Sequence, residues 1–151
     1  MGRSQSIPVI WVRQEFKSDL GDAFIGIKKG LTRAVTVEGT DGPKLLSGLH
    51  TEPSDNEIIK KRYSAFFKTE LDGLLRLLDV NTLIIAGVNT HACVRMAVID
   101  AYQRDFEIVL ATDCTDSYDE EHHRVSLKYL TGVMCQAKTN KEILKLLQDR
   151  E

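Results

Sequence analysis

Proline and cysteine are both scarce, three of each in 151 residues, and there is a single tryptophan. Cys93, Cys114 and Cys135 form an odd, widely spaced set with no secretory signal pattern ahead of them. That argues against a disulfide scaffold and for free thiols in a reducing compartment, so a cytoplasmic location is expected. Long apolar runs are missing too. Stretches such as Leu83-Ile84-Ile85-Ala86-Gly87-Val88 fall far short of the ~20 residues of a membrane-spanning helix, and no membrane association is expected. Gly2 and Ser6 fit the loose N-myristoylation pattern, but no second membrane signal follows. Basic residues are not in excess: 20 Lys and Arg against 22 Asp and Glu leave a net charge of -2. Nothing draws a phosphate backbone, and nucleic acid is not an expected partner. No glycine-rich phosphate loop follows the first apolar run, which disfavours a nucleotide-binding flavodoxin-like module.

What is present is ordinary for a folded domain, with 42% hydrophobic and 28% charged residues. The length suits one domain, residues 1–151, with a sizeable core. Ile7-Pro8-Val9-Ile10-Trp11-Val12-Arg13 is a β-branched and aromatic run that predicts a strand with Pro8 at its start. Residues from Phe16 to Gly30 suggest a helical or irregular crossover. Glu57 to Lys61 predicts a second strand, and a helix is expected from about Phe67 to Leu78 with Leu71, Leu74, Leu75 and Leu78 on one face. Thr82 to Gly87 reads as a strand buried on both faces, followed by a turn at Val88 to Thr90 and a helix to about Gln103. Glu107 to Asp113 predicts another strand, then a helix from Glu120 to Leu130 with Val125, Leu127 and Leu130 as core candidates. Gly132 to Cys135 predicts a short last strand, and Asn140 a cap for a closing helix. This alternation of strand and helix indicates an α/β domain with a mostly parallel sheet.

In parallel sheets ligands bind where strands end and the following loops converge. That singles out Lys60 and Lys61, the turn from Gly87 to Cys93, and Asp113. Cys93 falls in the first turn of its helix, where unpaired N–H groups and the helix dipole favour an anion. A thiolate is such an anion, and it is the nucleophilic form of cysteine. The alternative is a packed core thiol, the commoner fate of a free cysteine, and Cys114 and Cys135 are read that way. His122-His123 beside Glu120-Glu121 suggests metal only weakly, because adjacent helical residues face different ways. A solvated helix start accounts for them.

The segment Lys60-Lys61-Arg62-Tyr63-Ser64-Ala65-Phe66, followed by Gly87-Val88-Asn89-Thr90-His91-Ala92-Cys93-Val94 and then Asp113, resembles the isochorismatase-like cysteine hydrolases. Nicotinamidases and N-carbamoylsarcosine amidases belong to that group. The likeness runs from about Ile7 to the C-terminal helix. It implies a three-layer α/β/α Rossmann-like fold with a mostly parallel sheet, and a triad of Asp, Lys and Cys that cleaves the carbon–nitrogen bond of a small-molecule amide. By motif position Cys93 matches the nucleophile and Lys60 the triad lysine. The resemblance also implies a cis peptide at Val88–Asn89 and an oxyanion hole from the amides of Asn89 and Cys93. Tyr63, Phe66, His91 and Tyr118 are candidates for the substrate wall. Neither a metal nor another cofactor is expected, and assembly as a homo-dimer or tetramer is.

The family's aspartate ends a first strand that precedes the segment matching Ile7 to Arg13, and no Asp in this sequence matches it. That strand would lie between the strand of Val9 to Val12 and the strand of Leu83 to Ala86. Three readings follow: the sheet is rebuilt, by another subunit or by direct pairing of the flanking strands; the chain is a non-catalytic scaffold; or Glu15 or another acid takes the place of the base.

Overall fold

The computed structural model describes residues 7–149, so Gly2 and Ser6 lie outside the described residues. In chain order the elements are β1 (Ile10–Gln14), α1 (Ile25–Lys28), β2 (Asn56–Lys60), α2 (Leu71–Leu77), β3 (Thr82–Val88), a π-helical turn (Thr90–Val94), α3 (Arg95–Tyr102), β4 (Glu107–Asp116), α4 (Glu120–Leu130), β5 (Gln136–Lys138) and α5 (Asn140–Gln148). The expected alternation is present. Gly30, at a φ of +70°, ends α1 because a residue without Cβ enters the left-handed region freely. None of these helices is long and apolar enough to cross a membrane.

The strands form two parallel sheets, β1 with β2 and β3–β4–β5. Among the described residues no ladder joins them, so β1 and β3 do not pair directly. One core nevertheless spans both. Ile58 of β2 is buried with Leu75 of α2, Val98 and Ala101 of α3, Ile108 and Leu110 of β4, and Leu130 of α4. On the other side of the three-stranded sheet, Val109 and Ala111 pack against Ile143 and Leu147 of α5, with Ile7 alongside.

Several local expectations are corrected. β3 is not buried on both faces: Ile84 is 42% exposed and Val88 67%. Ile84 is in register with Val109 and so shares the face that α5 covers over β4, but that cover does not extend to β3. β4 runs on to Asp116, and its pairing with β3 slips between Ile85 and Gly87, so that Gly87 faces Thr115. Cys114 lies in the stretch that leaves the ladder and is exposed, its Sγ donating to Asn140 Oδ1 at 3.2 Å. Cys135 is buried in the core as expected, and that burial pushes its thiol pKa up.

Residues 132–134 form a turn, with Gly132 at a φ of +87°; Cys135 makes an isolated bridge with Thr131, and the last strand starts at Gln136. α4 buries Ser126 and Leu130 and leaves Val125 44% exposed. The cap of α5 is Thr139, not Asn140. Thr139 and Glu142 bond each other's backbone N–H, and this reciprocal box satisfies two donors that Asn140 alone would not.

Candidate functional site

Lys60 closes β2, and the alternation that buries Ile58 turns Lys60 to the same inner face. It is 5% exposed. Its ammonium donates to Arg62 O at 2.9 Å and to Cys93 Sγ at 3.2 Å. Cys93 arrives from the opposite side, on the π-helical turn after β3, and is half-buried. The Val88–Asn89 peptide is cis. Asn89 O accepts from Ala92 N at 3.1 Å and Val94 N at 3.2 Å, which winds the chain into the turn that carries Cys93. Thirty-three residues separate the lysine from the cysteine, so only the packing of the two sheets on one core brings them together.

The wall candidates do not form one wall. His91 and Cys93 are two residues apart in a helical turn and therefore face different ways. His91 turns to the start of α4. There its N–H donates to Ser117 Oγ at 3.4 Å, and its Nδ1 lies 2.8 Å from the same hydroxyl. The 83% exposed Tyr118 meets the His91 ring edge-on at 5.0 Å. His122 lies beside His91 and is largely exposed, whereas His123 is half-buried with Nδ1 at 2.9 Å from Oγ1 of the fully buried Thr90. Tyr63 stacks at a tilt on Phe24. Phe66 is 5% exposed, near Phe106 and under the Arg104 guanidinium, so its ring fills core and does not line an opening.

Other candidates are engaged elsewhere. Lys61 Nζ donates to Glu15 O and pairs with Asp22 at 3.0 Å. Burial pushes the Asp22 carboxyl upward, but the Lys17 N–H and the Lys61 ammonium outweigh it and hold its pKa below the usual value. Asp113 accepts from Asn140 N at 2.8 Å, at the start of α5. Glu15, the candidate substitute base, bonds the Arg13 guanidinium at 2.7 Å and contacts neither Lys60 Nζ nor Cys93 Sγ. Among the described residues no carboxylate hydrogen-bonds to that pair.

Sequence reasoning passed over Gln14. It ends β1 in register with Lys60, and its Nε2 is buried without a hydrogen-bond partner. Period-two alternation from Ile10 through Val12 puts it on the inner face and was the available signal.

The chain is similar to known proteins in four respects. The profile of the family described as "Isochorismatase domain" matches residues 2–141. A "probable inactive nicotinamidase" of Arabidopsis thaliana is 33% identical over 132 residues, 84% of this chain and 67% of that protein. The crystal structure of N-carbamoylsarcosine amidase from Thermoplasma acidophilum superposes with a TM-score of 0.76 at 25% identity, covering 91% of this chain and 75% of that one. A cysteine hydrolase from Pseudomonas syringae pv. phaseolicola has a TM-score of 0.88 at 20% identity, covering 99% and 76%, a likeness of fold. The chain spans about half to two thirds of the length of the curated relatives it matches.

Proposed function

Because the chain belongs to the isochorismatase family, and because Lys60 and Cys93 meet across its core, we propose that it is a cysteine hydrolase of small-molecule amides. In this reading the Cys93 thiolate attacks the amide carbonyl carbon and forms a carbon–sulfur bond. The oxyanion takes hydrogen bonds from the backbone N–H groups of Asn89 and Cys93. The tetrahedral adduct collapses, the carbon–nitrogen bond breaks, and the amine leaves with a proton passed through Lys60. Water then hydrolyses the thioester, releasing the acid and the free thiol. No metal or other cofactor enters the reading. The Lys60–Cys93 contact at 3.2 Å carries it.

A second reading, a catalytically impaired assembly protein, has its own support. No carboxylate among the described residues serves the pair, and the 33% identical Arabidopsis relative is named probable inactive. Under either reading we expect a cytoplasmic homo-dimer or tetramer, because β1 and β3 share no ladder and Val88 is exposed. Light scattering checks the assembly.

The readings separate on Cys93 alkylation by iodoacetamide near neutral pH, resolved by site with mass spectrometry. The hydrolase reading expects Cys93 to react at least about tenfold faster than the exposed Cys114, and expects Lys60→Ala to remove that advantage. Equal rates at the two cysteines would leave the assembly reading.

A further inference from the structure

A small cavity opens where the segments that follow β1 and β2 meet the one that enters α2. Its volume is about 210 Å³, and Asp22, Lys61, Arg62, Phe67 and Lys68 line it. Neither Lys60 nor Cys93 does, so the cavity is separate from the pair described above. At about 30 Å³ for each water molecule, the space suits a tetrahedral oxyanion with a small substituent.

Arg62 is held in place from several sides. Its Nη1 donates to Asp22 O at 2.8 Å and to Lys61 O at 2.7 Å, and the guanidinium lies over the Phe24 ring, 5.2 Å from the centroid. A planar fork fixed in this way has little freedom left to lose when it binds. A guanidinium has five N–H donors, and the three on Nε and Nη2 meet no acceptor among the described residues. Lys68 is exposed, with Nζ 5.6 Å from the centroid of the Phe67 ring. The acid in the lining, Asp22, pairs with Lys61 at 3.0 Å, and among the described residues no carboxylate pairs with Arg62 or Lys68.

The charges of the lining do not balance. Three cations face one carboxylate, an excess of two positive charges. A phosphate monoester carries about -1.5 to -2 near neutral pH and has three strong acceptor oxygens. That matches both the excess charge and the free donors of Arg62, whereas a monocarboxylate leaves one positive charge unmet.

We propose that this cavity binds inorganic phosphate or a small phosphate monoester. Two phosphate oxygens accept from Nε and Nη2 of Arg62 in the fork geometry that guanidinium groups make with oxyanions, and Lys61 and Lys68 supply the remaining charge. The site does not depend on the hydrolase reading, since none of its residues takes part in the Cys93 chemistry.

The test uses the ¹⁵N-labelled full chain, titrated with inorganic phosphate at fixed pH and ionic strength, with chloride as the control. The backbone amide resonances of Arg62 and Lys68 are expected to shift saturably with phosphate and not with chloride. Lys68→Glu reverses one charge at an exposed position and should weaken the apparent affinity at least about tenfold. Arg62→Lys keeps the charge and removes the fork, and should weaken it by a similar factor. No saturation, or equal shifts with chloride, overturns the site. So does an affinity unchanged in Lys68→Glu, which would put the phosphate elsewhere. An affinity lowered by Lys68→Glu and untouched by Arg62→Lys would mean diffuse attraction to a positive surface, and that also overturns it.

Discussion

Replacing Ile58 by alanine tests whether the two sheets are one cooperative unit. Ile58 sits in the two-stranded sheet, is 1% exposed, and packs in the same core as Ile108 and Leu110 of the three-stranded sheet. The substitution removes three buried carbons. At about 0.8 kcal/mol for each, the lost transfer energy is about 2.4 kcal/mol, and the cavity left behind raises the expected cost to about 3–4 kcal/mol. With a urea m-value of about 2 kcal/mol per molar, the unfolding midpoint should fall by about 1.5–2 M.

Two probes watch different parts of the molecule. The single tryptophan, Trp11, lies on β1 with its Nε1 donating to Asp55 Oδ2 at 2.8 Å, so its fluorescence reports the two-stranded sheet. Far-ultraviolet circular dichroism is dominated by the longer helices α3, α4 and α5, which pack on the three-stranded side. A shared core requires both signals to shift together, in the wild type and in the variant. If the Trp11 transition moves alone, the sheets unfold separately and the single-core account is wrong.

Phe66→Ala should cost about 3–5 kcal/mol of stability by urea unfolding, as a core truncation does; a change in ligand affinity at unaltered stability would return Phe66 to a binding wall. Cys135 should resist iodoacetamide in the native protein and react only under denaturant, since burial raises its thiol pKa, whereas Cys114 reacts in both states; native labelling of Cys135 would contradict the packing. Thr139→Ala should destabilise by about 0.5–2 kcal/mol through the lost cap of α5, measured by thermal unfolding. The Glu142 carboxyl accepts from Thr139 Oγ1 and N and is held below its ordinary 4.5. Its contribution is therefore complete above about pH 4.5 and is lost as pH falls through the lower folded value. The acid limb of the stability profile should accordingly flatten in Thr139→Ala, and an unchanged limb would refute the assignment.

Lys60 and Cys93 were legible as candidates because candidacy depends on local pattern, whereas their contact depends on packing. Lys60 and Cys93 stand in two short motifs, and the alternation in Asn56 to Lys60 already turns the lysine inward with Ile58. The wall was not legible. An aromatic residue after a strand looks the same in sequence whether it fills core, as Phe66 does, or stacks on a loop side chain, as Tyr63 does on Phe24. The orphaned Nε2 of Gln14 was equally hidden, because an unmet donor exists only once its surroundings are assembled.

The α/β class and the order of the elements followed from the sequence alone, since the periods of two and 3.6 are properties of each segment's own backbone. Tertiary structure decided what covers each face and where each ladder slips. Ile84 is as apolar as Val109, yet α5 reaches only one of them. Cys114 left the core because β4 leaves its register after Leu110, and Thr139 displaced Asn140 as a cap because it could trade bonds with Glu142. Burial and pairing belong to two elements at once, and the pattern of either one alone does not contain them.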